Sequence, residues 1–96
     1  MTGQTDPARN FICNATIGRL DAERARWRVL VEAWGSDRRY HGRIVFQPEA
    51  MPGQMLRDFS RRESPPLLAG ATPEEVVSAA HELPEKHIRA LLHSLA

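Results

Sequence analysis

Twenty residues near the middle of the chain, WRVLVEAWGSDRRYHGRIVF (27–46), alternate in side-chain type on both sides of a short polar segment. A period of two is typical of a β-strand with one buried face, and two such runs around a turn form a hairpin. The segment therefore predicts two antiparallel strands. One face of this hairpin is apolar and is expected to be buried; it carries Trp27, Val29, Val31, Tyr40, Ile44 and Phe46.

The opposite side of the hairpin, called the second face below, mixes arginines with apolar side chains. If the chain turns within GSDR (35–38), with Trp34 opposite Arg39, all opposed residues share a face, as antiparallel pairing requires. The same register places Glu32 opposite His41, Leu30 opposite Arg43, Arg28 opposite Val45, Val29 opposite Ile44 and Trp27 opposite Phe46. The second face then consists of Arg26, Arg28, Leu30, Glu32, Trp34, Arg39, His41, Arg43 and Val45.

The segments on either side of the hairpin extend the same pattern. FICNATIG (11–18) alternates with a period of two and predicts a first strand, followed by a polar turn, RLDAE (19–23). MLRDFSRRE (55–63) fits either an edge strand or a helix; we expect a strand, because it would continue the meander. SPPLLAGA (64–71) is predicted to be a loop.

The C-terminal quarter carries the clearest helical signals. Thr72 is a favourable N-cap, and Glu75 three residues later completes a capping-box pattern. Pro84 would disrupt a continuous helix but is tolerated in a first turn, so we expect two helices, at 73–82 and 84–95. Their apolar stripes are Val76, Val77, Ala80 and Leu83 in the first helix, and Ile88, Leu91, Leu92 and Leu95 in the second.

Together these patterns predict an α+β fold, in which an antiparallel meander of three to four strands is followed by two short C-terminal helices. Helices of this length are unstable alone in water, so they should pack on one face of the sheet. Residues 10–96 are expected to form a single domain. Residues 1–9 are polar and aperiodic and are expected to form a flexible N-terminal tail.

Composition narrows the classes of partner. Thirteen basic and twelve acidic residues give a net charge of +1, which is too small to draw the whole protein to nucleic acid or an anionic membrane. Cys13 is the only cysteine, so neither an intramolecular disulfide nor a multi-thiolate zinc site is expected, and its apolar setting predicts a buried thiol. The chain has no apolar run of membrane-spanning length, and the expected location is cytoplasmic.

Two arrangements of histidine are candidates for a catalytic or metal site. His41 opposite Glu32 would form half of a catalytic dyad, but no Ser, Thr or Cys of the second face is placed to be activated. A cross-strand charged pair is therefore the preferred interpretation. His81, His87 and His93 recur at intervals of six, which does not bring metal ligands onto one helix face. We expect no catalytic residue, metal or cofactor.

The second face offers three alternative functions. The leading hypothesis is a non-enzymatic protein-interaction or homodimerising module that uses this face near Trp34, since Trp and Arg are enriched at interface centres. The alternative is weak binding of single-stranded nucleic acid, with arginines on phosphates and Trp34 stacked on a base. A solvated face, with Arg39 stacked on Trp34, is the structural interpretation, and an enzyme using His41 is the least favoured.

Overall fold

The computed structural model describes residues 13–49 and 60–95. It confirms the α+β class: an antiparallel sheet is followed by two C-terminal helices. No helix in these two ranges is long and apolar enough to cross a membrane. The elements are β1 (Cys13–Ala22), β2 (Ala25–Ser36), β3 (Arg39–Glu49), β4 (Arg62–Glu63), β5 (Leu68–Gly70), α1 (Pro73–His81) and α2 (Glu85–Ser94).

The first three strands form a meander joined by two tight turns. Glu23 and Arg24 connect β1 to β2, and Asp37 and Arg38 connect β2 to β3; all four have positive φ, between 51° and 63°. Two consecutive residues of positive φ are typical of the type I′ turn, whose twist matches that of the flanking strands. Both turns therefore contain two residues, whereas the sequence predicted longer ones at GSDR and RLDAE.

The shorter turn shifts the central hairpin by two residues from the predicted register. Trp34 lies opposite His41 instead of Arg39, and Glu32 lies opposite Arg43 instead of His41. Each side chain nevertheless stays on its predicted face of the sheet, because side chains alternate with a period of two and a shift of two residues changes only the cross-strand partners. The remaining pairs are also corrected: Leu30 faces Val45, Arg28 faces Gln47, Val29 faces Phe46 and Trp27 faces Pro48.

Strand β1 is longer than predicted and contains an irregularity. It continues through most of the predicted turn and ends at Ala22, paired with Ala25 of β2. The register shifts between Thr16 and Gly18, so Ile17 is the extra residue of a β-bulge. Since a bulge moves the later side chains across the sheet, the helix-facing positions change from odd numbers before Ile17 to even numbers after it.

The strands on the other side of β3 are short. Arg62 and Glu63 of β4 pair with Phe46 and Val45, which places the end of the predicted 55–63 strand in the sheet. The earlier part of that prediction lies outside the described residues. SPPLLAGA is not entirely a loop, because Leu68–Gly70 forms β5 and pairs with β3 at Tyr40 to Gly42.

Helix α1 begins at Pro73 as predicted, and α2 begins at Glu85, one residue after the predicted start. The Thr72 hydroxyl accepts a hydrogen bond from the Glu75 backbone N–H at 3.1 Å, which confirms the N-cap. The Glu75 carboxylate accepts from the Ala71 N–H at 2.8 Å, one residue before the position that a standard capping box uses. Pro84 precedes the first turn of α2, so its missing N–H removes no intrahelical bond.

The core lies between the sheet and the helices, on the predicted apolar face. Gly42 of β3 allows α1 to approach the sheet, since a Cβ added there would lie 2.3 Å from Cγ1 of Val76. Tyr40 is only partly buried. The other five predicted sheet residues are buried together with Val76, Ala80, Ile88 and Leu92 of the helices.

Candidate interaction surface

The second face is closed around Trp34, where the sequence predicted an open surface, although Arg26, Arg39 and His41 on the same face are exposed. Trp34 is only 7% exposed, and Val45, further along the same face opposite Leu30, is completely buried. Leu30, opposite Val45, is partly buried. The interaction surface predicted around Trp34 therefore has no exposed tryptophan at its centre, and the expectation of an open face is wrong there.

Glu32 lies at the centre of a charged cluster on this face. Its side chain is 2% exposed and accepts hydrogen bonds from Arg43 Nε at 2.9 Å and Arg61 Nη2 at 2.7 Å. Glu63 binds the same two arginines, at 3.2 Å to Arg43 Nη1 and 2.8 Å to Arg61 Nε. Burial opposes the charge on Arg61, but the hydrogen bonds to both glutamates outweigh it and raise the Arg61 pKa. Two positive and two negative charges thus neutralise one another.

The aromatic environment of Trp34 also differs from the predicted one. The guanidinium of Arg43, not Arg39, lies over the Trp34 ring, 6.0 Å from its centroid. His41 is the cross-strand partner of Trp34, their ring centroids lie 6.5 Å apart, and the His41 side chain is exposed. Because Glu32 is bound by arginines and does not face His41, the predicted half dyad is not formed.

The arginines at the far end of the second face are paired with carboxylates. Arg26 binds Asp21 at 3.0 Å, while Arg19 and Arg28 flank Glu49 at 3.1 and 3.8 Å. The hydrogen bond and charge of Arg26 hold the Asp21 pKa below its ordinary value. The positive charge of these three arginines is therefore partly neutralised within the chain, which makes them weaker candidates for phosphate contacts.

The outer edge of β1 is the longest unpaired backbone edge in the described part of the sheet. β1 is the first strand in the sheet order and is hydrogen-bonded on one side, to β2. The Asp21 carbonyl points outward, where Arg89 Nη1 of α2 donates to it at 2.7 Å. On the other side of the bulge, Asn14 and Thr16 pair with Glu32 and Leu30.

The direction of the backbone groups on this edge follows from the hairpin. In an antiparallel ladder, alternate residues direct both N–H and C=O to the same neighbour. The two-residue turn makes the odd-numbered residues of β2 direct their backbone N–H and C=O groups to β1. Asn14 and Thr16 pair with even-numbered residues of β2, so they direct their own backbone groups away from the sheet. Both side chains are exposed. These two residues therefore present donors and acceptors that no described strand uses.

A groove opens beside this edge, on the helix side of the sheet. Its volume is about 190 Å³, below the range of pockets for drug-sized ligands but large enough for one apolar side chain. Arg19, His81 and Glu85 lie at its polar part. The apolar lining comes from Ile17, Leu20, Val29, Ala80, Leu83 and Ile88.

The helical histidines serve different roles from one another. His93 Nδ1 lies 2.7 Å from the Glu23 carboxylate, which also binds Arg62 Nη2 at 2.8 Å. The hydrogen bond from Arg62 is the main cause of a lowered Glu23 pKa. His81 and His87 are exposed, and the described residues contain no group of three or more potential metal ligands.

Arg62 connects the Glu23 carboxylate, which also contacts His93, to the core. Its guanidinium lies 4.6 Å from the centroid of the Trp27 ring and donates to the Leu92 carbonyl at the end of α2. No pattern along the chain indicates this arrangement, because Glu23, Arg62 and His93 are far apart in sequence. Cys13 is partly buried against the core, as a small apolar side chain would be.

Fold and surface together define a small α+β domain with an unpaired sheet edge beside an apolar groove. No protein-family model matches the chain, and comparison with curated proteins and with solved structures finds no significant similarity.

Proposed function

We propose that this chain is a non-enzymatic protein-interaction module that binds an extended polypeptide segment along the outer edge of β1. The observation that carries the proposal is the outward direction of the backbone groups at Asn14 and Thr16. Unpaired N–H and C=O groups on a sheet edge are a template for strand addition, in which backbone hydrogen bonds supply affinity.

The groove supplies the selectivity that backbone hydrogen bonds lack. An added strand directs alternate side chains to the helix side of the sheet, where Ile17 and Leu20 line the groove. Its volume favours a partner segment with one large apolar side chain at that position. The second face is a poorer candidate because Trp34 is buried and the charges around Glu32 are mutually satisfied.

Proline at position 16 tests this function. It removes the outward N–H but is tolerated on an edge strand whose N–H faces solvent, so the fold should persist. Thr16→Ala is the matched control, since it removes the hydroxyl and keeps the donor. Equal melting temperatures for Thr16→Pro and Thr16→Ala, within a few degrees, would establish that both variants are folded.

The binding assay uses a displayed library of random twelve-residue peptides against the three immobilised proteins. We expect peptides with alternating apolar residues to be enriched on the wild type and on Thr16→Ala, and to be lost on Thr16→Pro. Enrichment that is equal on Thr16→Pro would reject strand addition at β1, and no enrichment on any of the three would reject a peptide as the partner of this edge.

A further inference from the structure

The part of the β1 edge that can accept a strand is limited at one end. Arg89 occupies the outward carbonyl of Asp21, and the bulge at Ile17 interrupts the regular spacing of backbone groups. Bulges and covering side chains are the means by which proteins block edge pairing. Within the described residues, the uncovered segment therefore runs from Cys13 to the bulged residue Ile17, CNATI, and its regular part is Cys13–Thr16.

This segment is complementary to itself in antiparallel orientation. With a two-fold axis at Ala15, Asn14 lies opposite Thr16 of a second copy, and Cys13 lies opposite Ile17. Exposed polar side chains then meet on the second face, and partly buried apolar side chains meet on the helix side. Ala15 meets its own counterpart, where a small side chain permits close approach.

Charge favours the same register. The five residues carry no charge, so the two-fold pairing creates no like-charge contact. A pairing centred on Leu20 would also match charges, with Arg19 opposite Asp21, but Arg89 already occupies the backbone there. Among the pairings along β1, the one centred on Ala15 uses backbone groups to which no described residue binds, and it opposes no equal charges.

We infer that the partner of this edge is a second copy of the chain, paired antiparallel through β1 about Ala15. The inference rests on the proposed function, because it names the occupant of the same edge. The two sheets join into one continuous sheet, with both pairs of helices on the same side.

Sedimentation velocity over a range of concentrations tests the association. The wild type and Thr16→Ala should show a concentration-dependent rise in sedimenting mass towards twice the chain mass of 10.8 kDa. Thr16→Pro should remain at the single-chain mass at every concentration. A dimer that persists unchanged in Thr16→Pro would overturn the inference.

A cross-link tests the register in a protein that keeps the position 16 donor. Residues 15 of the two copies form a non-hydrogen-bonded pair, whose Cα atoms lie about 4.5 Å apart and can be bridged by a disulfide. With oxidised glutathione as the oxidant, Ala15→Cys in a Cys13→Ser background should cross-link. Wild-type Cys13 should not, because the two copies of residue 13 are four positions out of register. Cross-linking through Cys13 and not position 15 would overturn the register.

The two proposals fail differently. If the wild type stays at the single-chain mass at all concentrations while displayed peptides still require the position 16 donor, the second-copy inference is wrong and the edge function stands. If neither the peptides nor self-association depends on that donor, both are wrong.

Discussion

Replacement of Glu32 by glutamine should destabilise the fold strongly, because this buried carboxylate holds two arginines. Arg43 Nε and Arg61 Nη2 donate to it at 2.9 and 2.7 Å, and the Glu32 side chain is 2% exposed. Removing one member of a buried ion pair costs about 3–5 kcal/mol. Arg61 is 40% exposed and Arg43 retains Glu63, so we expect the lower end, about 3 kcal/mol.

The assay is urea unfolding at neutral pH, followed by tryptophan fluorescence, with the midpoint and slope fitted for each protein. Glu63→Gln is the control, because Glu63 binds the same arginines but is 39% exposed. It should cost below about 1 kcal/mol, as exposed ion pairs do. Equal losses for the two variants, or a loss below about 1 kcal/mol for Glu32→Gln, would refute the view that burial makes this pair important.

Three further predictions concern the sheet, its turns and acid stability. Gly42→Ala should destabilise the protein by about 1–3 kcal/mol, because the added methyl group would collide with Val76. Val76→Ala should restore part of that loss, and a double-mutant cycle in urea that shows simple additivity would contradict this packing. Because the folded-state pKa of Glu23 is lowered, its contribution to stability is present above the ordinary pKa of 4.5 and is lost as pH falls through the folded-state pKa. The unfolding free energy should therefore fall less steeply between pH 6 and 3 in Glu23→Gln than in the wild type. Parallel curves for the two proteins would exclude this contribution. Asp37→Asn with Arg38→Gly should raise the melting temperature, since Asn-Gly suits two consecutive residues of positive φ, and a lower value would contradict the type I′ assignment.

The sequence predicted the faces of the central hairpin more reliably than its pairing. Alternation with a period of two reports which side a residue lies on, and this is unchanged by a shift of two positions. Trp27 and Ile44 were therefore placed correctly in the core, while Glu32 was given the wrong partner. The register depended on the Asp37 and Arg38 turn, and these residues lack the Asn-Gly signature by which type I′ turns are recognised.

The helices were predicted closely because their signals are local. The Thr72 cap and the position of Pro84 depend only on neighbouring residues, and both are in place in the structure. The site was harder to predict, because burial depends on contacts between distant segments. The ion pair between Arg61 and Glu32 joins residues 29 positions apart, and no pattern along the chain indicates it.

The unpaired edge of β1 could not be predicted from the sequence, for a related reason. FICNATIG predicted a strand, but not its place at the side of the sheet or its continuation to Ala22. Exposed Asn14 and Thr16 are consistent with any strand that has one solvated face. Only the order of strands shows that their backbone groups lack a neighbour among the described strands.

Hydrogen exchange of the β1 amides in dilute protein, measured by NMR residue by residue, tests the unpaired edge most directly. If Asn14 and Thr16 direct their N–H groups outward, their amides should exchange rapidly, while the Ala15 amide, directed to β2 opposite Val31, should exchange slowly. Slow exchange of all three amides at concentrations where the protein is a single chain would show that the edge is already occupied, and would contradict the account.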